Sequence, residues 1–231
     1  MSPITIACLD LAGTTVRDDG TVLAAFRAAA GELGLAEGTP GCQRALDIVH
    51  TTMGMAKIEV FRRITGDESA AARANGAFEA HYAAAVRAGR IAPVDGAEQA
   101  IATLRAAGIK VCLLTGFAPA TRDAVLAALG WQELADLVLS PADAGRGRPF
   151  PDLPLTALLR LGGGAVSELA VVGDTPSDVE SGLRAGAGLV AGVLTGSSDR
   201  AQLVAAGAPL VLESVAALPA HLGLADGSSA G

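Results

Sequence analysis

Lysine is nearly missing from this chain: of its seventeen basic residues only Lys57 and Lys110 are lysine, and the other fifteen are arginine. Aromatic residues are scarce at 3%, nowhere do basic residues cluster with them, and the net charge is −7. Nucleic-acid binding therefore has no electrostatic basis. No apolar run reaches the ~18 residues needed to span a bilayer, so no membrane partner is expected. The start, Met1-Ser2-Pro3-Ile4-Thr5-Ile6, has neither a basic segment nor a cleavage pattern and reads as carrying no signal peptide. Cysteine is limited to Cys8, Cys42 and Cys112, widely spaced, with no CxxC metal pair. Cys8 and Cys112 fall in apolar runs, where a free thiol behaves as a small buried hydrophobe. The cytoplasm is the expected compartment.

What the chain has in quantity is apolar residues, at 51%, together with 29 glycines and 11 prolines in 231 residues. That is enough for a real core with many tight turns, and it excludes disordered and collagen-like readings. Ile4–Leu9 is a short apolar run ending at Asp10, which predicts a buried strand. From Val22 to Val86 apolar residues recur at helical spacing, in Val22–Leu35, Cys42–Met53, Ala56–Ile64 and Glu68–Val86, broken by Gly-rich segments. From Pro93 onward strand and helix alternate, with strands at Ile109–Leu114, Leu137–Leu139, Leu169–Val172, Gly188–Leu194 and Leu210–Leu212. A final helix is expected over Val215–Leu222, and the small, polar tail Ala225–Gly231 reads as frayed. Continuous apolar strands alternating with helices predict a doubly wound α/β fold, a parallel sheet covered on both faces. The expected division is a core of residues 1–16 and 93–231 with an all-helical cap, residues 17–92, inserted after the first strand.

In such sheets ligands bind beyond the carboxyl ends of the strands. Asp10-Leu11-Ala12-Gly13-Thr14-Thr15 follows the first strand, Thr115-Gly116-Phe117 the second, a loop containing Arg148-Pro149 the third, and Gly173-Asp174-Thr175-Pro176-Ser177-Asp178 the fourth. Singly, these residues have ordinary explanations. Asp10 could cap a helix, Thr115 could sit in a turn, Arg148 could be a solvated charge, and Asp178 could be favoured by a helix dipole. Together they form a phosphoryl-transfer set. A carboxylate can attack phosphorus, other carboxylates can hold Mg²⁺, and Thr115, the Gly116 N–H and the Arg148 fork can bind phosphoryl oxygens.

The order Asp-x-x-Gly-Thr, Thr-Gly, a basic residue, then Gly-Asp-Thr-x-x-x-Asp resembles the haloacid dehalogenase superfamily of hydrolases over the whole chain, including a helical cap after the first motif. Most phosphatases of that superfamily carry an Asp two residues after the nucleophile and a Lys in the third motif. Ala12 and Arg148 stand there instead, a combination that resembles the phosphonatase (phosphonoacetaldehyde hydrolase) family. Met53-Gly54-Met55-Ala56-Lys57 is similar to that family's Met-Gly-x-x-Lys segment, whose Lys forms a Schiff base with the substrate aldehyde. Arginine cannot lose its proton and so cannot act as an amine nucleophile, which gives an Arg-rich chain a reason to keep Lys57. The resemblance implies Asp10 as nucleophile and Mg²⁺ held by Asp10, the Ala12 carbonyl and Asp174, with Asp178 at or beside the metal. It also implies Met53 beside Lys57 and a homodimer formed through the cap.

Ala12 and Lys57 fit one another chemically. An alkoxide leaving group needs an acid, which a methyl group cannot supply. A carbon leaving group is more basic still, and a cationic imine gives its electron pair somewhere to go. The chain departs from the phosphonatase pattern at Val60 (His in the family), Phe117 (Tyr) and Thr21 (Cys), which points to a substrate differing in its carbonyl portion. If a helix ran on through Gly54, Met53 and Lys57 would share a face and His50 could join them. The alternatives are a phosphatase for a small phosphate monoester and, less well supported, an inactive binding scaffold. Gly145-Arg146-Gly147 and Gly162-Gly163-Gly164 lack nucleotide-loop spacing.

Overall fold

Ile6–Asp10, buried at every position, forms strand β1 of the computed structural model, which describes residues 3–224. A two-residue strand β2 (Val16–Arg17) follows, then four helices: α1 (Thr21–Glu32), α2 (Pro40–Thr51), α3 (Lys57–Thr65) and α4 (Glu68–Arg87). Strand β3 (Ala92–Pro93) pairs antiparallel with β2, so the chain enters and leaves the helical insert through a two-stranded neck. Beyond it come α5 (Ala97–Ala106), β4 (Lys110–Leu114), α6 (Pro119–Leu129), β5 (Leu137–Leu139), α7 (Pro141–Ala144) and α8 (Asp152–Leu161). The chain then continues through β6 (Leu169–Gly173), α9 (Pro176–Ala185), β7 (Leu189–Val193), α10 (Arg200–Ala205), β8 (Leu210–Leu212) and α11 (Leu218–His221). The tail expected to fray, 225–231, lies outside the described residues.

Six strands form one parallel sheet in the order β5-β4-β1-β6-β7-β8. Alternation sends Ile6, Cys8 and Leu114 to one face, against Leu153, Ala157 and Leu158 of α8. Ala7, Leu9, Val111 and Leu113 go to the other, into a cluster that runs on without a break to Phe26, Phe61 and Phe78 of the cap. Sheet and cap thus share one apolar core. All three cysteines are free and buried. Among the described residues no helix is long and apolar enough to cross a membrane.

The order places β1 at the centre, paired with β4 and β6. The segments following these three strands therefore meet at one end of the sheet, at the point where the winding reverses. Local sequence fixes the helix that begins there. Thr175 caps α9 by accepting from the Asp178 N–H, Asp178 returns a bond to the Thr175 N–H, and Pro176 occupies the first turn.

The cap breaks at Gly54, where the helical pattern of the sequence also breaks, and the break matters. No helix runs through Gly54: α2 stops at Thr51, a turn occupies the next residues, and α3 begins at Lys57. Gly54 has φ +84, a left-handed conformation, and a Cβ there would collide with the Thr175 hydroxyl of the core. The break lets the loop Met53–Ala56 reach down onto the sheet end. Met53 and Lys57 are consequently not neighbours on a helix face, and His50 stays exposed near the end of α2.

Candidate active site

A small cavity of about 30 Å³ lies between sheet end and cap. Asp10, Ala12, Met53, Lys57, Thr115, Gly116, Arg148 and Asp174 all line it. Of the residues singled out from the sequence, Asp178 alone does not; it stands behind the others, at the first turn of α9. Its Oδ2 is taken by Thr175 and its Oδ1 by the Arg148 Nη1. Asp178 thus holds Arg148 from behind, while Asp10 and Asp174 are the carboxylates that line the cavity.

The floor of the cavity is acidic. Arg148, only 3% exposed, donates from Nη1 to Asp10 Oδ1 at 2.5 Å as well as to Asp178. Its Nε is buried without an acceptor, a donor aimed at a group the protein does not supply. Asp174 accepts from the Ser197 N–H at 2.8 Å, the Ser197 hydroxyl at 3.0 Å and the Thr14 hydroxyl at 3.3 Å. The loop after β1 comes very close here: Gly13 has φ +93, and a Cβ on it would lie 2.6 Å from Asp174 Oδ2. The Thr115 hydroxyl accepts from the Phe117 N–H at 3.1 Å, which leaves its own proton free to donate. The Gly116 N–H has no partner among the described residues.

Three carboxylates offer oxygens within 4.8 Å of one another against a single guanidinium. Burial, reinforced by the Asp178 and Asp174 charges and opposed by Arg148, pushes the Asp10 carboxyl up to about 8. Burial and the Asp178 charge raise Asp174 to about 6. The site carries more negative charge than its own cations balance, and a divalent cation is the species that relieves such an excess. Asp10, Asp174 and the Ala12 carbonyl are hard oxygen donors of the kind Mg²⁺ takes. The donor set fits the metal.

The roof is of opposite character. Lys57 begins α3, is 7% exposed, and is fixed from below by its own N–H, which donates across the cap–core boundary to the Gly116 carbonyl at 3.3 Å. Its Nζ lies 5.4 Å from the ring centre of Phe117, 5.6 Å from Phe26 and 5.9 Å from Phe78. Among the described residues no carboxylate forms an ion pair with it. Burial and the Arg148 charge hold the amine below the usual lysine range, against the pull of Asp10, Asp18 and Glu79. This is how a lysine becomes a nucleophile near neutral pH.

Of the three departures from the phosphonatase pattern, only Phe117 borders the cavity. Val60 is packed in the apolar core, and Thr21 opens onto a surface groove between α1 and α4. Sequence reasoning missed Ser197, Thr14, Asp18 and the rings of Phe26 and Phe78. Ser197 had a signal, since it follows β7 as Asp174 follows β6. The rings had none, because they come from helices far apart in sequence.

A family model for haloacid dehalogenase-like hydrolases matches residues 4–186, and the chain belongs to that family. Within it, the chain is similar to the phosphonoacetaldehyde hydrolase of Bacillus cereus (strain AH187), with 34% identity over 108 residues. That match covers 46% of this chain but only 40% of the relative's length. A phosphonoacetaldehyde hydrolase-like protein from Oleispira antarctica superposes with a TM-score of 0.82 at 27% identity, covering 96% of this chain and 92% of that one. A predicted phosphoglycolate phosphatase from Haemophilus somnus 129pt shares the fold, with a TM-score of 0.78 at 17% identity over 96% of this chain and 99% of its own.

Proposed function

We propose that the protein hydrolyses the carbon–phosphorus bond of a small carbonyl phosphonate, phosphonoacetaldehyde or an analogue, using Lys57 as imine-forming amine and Asp10 as phosphoryl acceptor. The observation that carries this reading is the position of Lys57: a buried amine without an ion-pair partner, over the same cavity whose floor is Asp10. A phosphatase does not need an amine nucleophile. It needs an acid beside the nucleophile, and Ala12 provides none.

The roles follow from the two ends of the cavity. Arg148, Thr115 and the Gly116 N–H orient the phosphonate group over Asp10. The Lys57 amine condenses with the carbonyl carbon, releasing water. When the C–P bond breaks, its electron pair enters the iminium to give a neutral enamine, and phosphorus bonds to the Asp10 carboxylate. The enamine carbon takes a proton, water hydrolyses the iminium to free Lys57 and the carbonyl product, and a second water releases phosphate from Asp10. Mg²⁺, held by Asp10, Asp174 and the Ala12 carbonyl, neutralises charge on the transferring group when bound. The closed contact of the Met53–Ala56 loop with the core keeps bulk water from the imine.

The test is a phosphate-release comparison of phosphonate aldehydes and ketones with phosphate monoesters, with and without Mg²⁺. The reading expects Mg²⁺-dependent release from a phosphonate aldehyde or ketone at a kcat/KM well above that of any monoester. Preference for a phosphate monoester contradicts it and makes the protein a phosphatase.

A further inference from the structure

Between the acidic floor and the aromatic roof, one wall of the cavity carries a carboxylate that neither end uses. Asp18 lines the cavity together with Val22, Met53, Lys57 and Phe117. It lies in the turn between β2 and α1, where its Oδ1 accepts from the Val22 N–H at 2.8 Å and so satisfies a first-turn donor of α1, whose N-cap residue is Gly20. The Gly20 backbone N–H also lies near this carboxylate. Asp18 and Lys57 line the same cavity, and no ion pair joins them.

We propose that Asp18 is the proton-transfer residue for imine formation at Lys57. The inference rests on the Schiff-base reading and adds what that reading lacks, a group to move the protons. The Lys57 ammonium gives a proton to the Asp18 carboxylate through one intervening water. The freed amine forms its N–C bond to the carbonyl carbon, its remaining surplus proton passes to the carbonyl oxygen, and a carbinolamine results. Asp18 then returns its proton to the carbinolamine hydroxyl, the C–O bond breaks, water leaves and the iminium stands. The balance is one ammonium and one carbonyl in, one iminium and one water out, with Asp18 ionised again. Hydrolysis after C–P cleavage runs the same steps backwards.

The surroundings suit that cycle. Burial raises the Asp18 carboxyl above its usual range, against the Val22 N–H and the Lys57 charge, while the neighbouring Asp19 adds to the rise. Burial lowers Lys57, so the two groups approach one another in proton affinity, the condition for efficient exchange. The other titratable group turned toward Asp18 is Tyr82 of α4, held neutral by burial and by the Asp18 and Asp10 charges. An anionic wall also excludes a carbonyl substituent bearing its own carboxylate.

Asp18→Asn tests this, because an asparagine oxygen accepts from a first-turn N–H as well as aspartate does and keeps the Val22 bond. The readout is the rate of borohydride-trapped adduct at Lys57, using the full chain, Mg²⁺ and phosphonoacetaldehyde as probe. Trapping and kcat should fall at least about tenfold, with orthophosphate affinity and melting temperature unchanged. The acid limb of the wild-type trapping profile should also vanish. If the variant loses its fold, Asp18→Ser retains an acceptor without a carboxylate and is held to the same expectation. Trapping by Asp18→Asn at the wild-type rate overturns this inference alone. A wild-type chain that yields no adduct overturns the Schiff-base reading and this inference with it.

Discussion

The two ends of the cavity solve the problem of a buried charge in opposite ways. On the floor, Asp10, Asp174 and Asp178 crowd around one guanidinium, and every charged group has a partner or shares one. On the roof, Lys57 stands among Phe117, Phe26 and Phe78 with no ion pair among the described residues. The floor stabilises charge that arrives with the substrate. The roof destabilises a charge the protein already carries, which suits the reactive amine proposed there. One cavity offering both environments suits a substrate that is a dianion at one end and a neutral carbonyl at the other.

The largest effect should come from the floor. Asp10→Asn keeps the shape but removes the nucleophile, and turnover should drop by at least about 10³-fold, measured as phosphate release. Excess chelator should abolish activity in the native chain, since without a divalent cation burial leaves Asp10 protonated up to about pH 8. Full activity in either case would make the two ends alike in having no chemical role.

Next in size is the seam between the ends. Gly54→Ala forces a side chain against Thr175 at a backbone angle that disfavours it, so the loop carrying Lys57 toward the floor must lift. Displacement of about 1 Å at a reacting group costs up to roughly 10²-fold in rate, and kcat/KM should fall between tenfold and that figure. Orthophosphate affinity, a property of the floor, should change little. Equal losses of both would mean that the ends are not separable.

The smallest effect concerns stability at the roof. Because burial lowers the Lys57 pKa, the folded chain holds fewer protons than the unfolded one between that lowered value and the ordinary lysine value of 10.5. Stability should therefore rise with pH through that window, and the cost of the buried charge is fully present below it. Lys57→Met should remove this dependence and stabilise the fold at neutral pH by about 1 kcal/mol, read by urea denaturation. A destabilised Lys57→Met would show that the amine is a structural anchor.

The floor was legible in the sequence and the roof only in part. In a parallel sheet every strand ends at the same side, so Asp10, Thr115 and Asp174 could be brought together from strand order and chain position alone. The same rule applied to β7 would have added Ser197. Lys57 was visible through its rarity and the Met-Gly-x-x-Lys spacing, but its aromatic surround is assembled from α1, α4 and the turn after β4, and local pattern carries no information about such contacts. The helix break at Gly54 was legible, since the helical pattern stops at Met53 and resumes at Ala56, but its cause was not. An isolated glycine is tolerated within a helix, and only the approach of Thr175 shows why the chain turns there. Strands β2 and β3, two residues each, are too short to show any period.

The most direct test of the account is reductive trapping at Lys57. The full chain, with Mg²⁺ and phosphonoacetaldehyde, is treated with borohydride and its peptides are mapped by mass. The account predicts one covalent adduct at Lys57, none in Lys57→Arg, and loss of C–P cleavage in that variant while orthophosphate still binds the floor. No adduct in the native chain, or a Lys57→Arg variant that turns over its best substrate at the native rate, would contradict it.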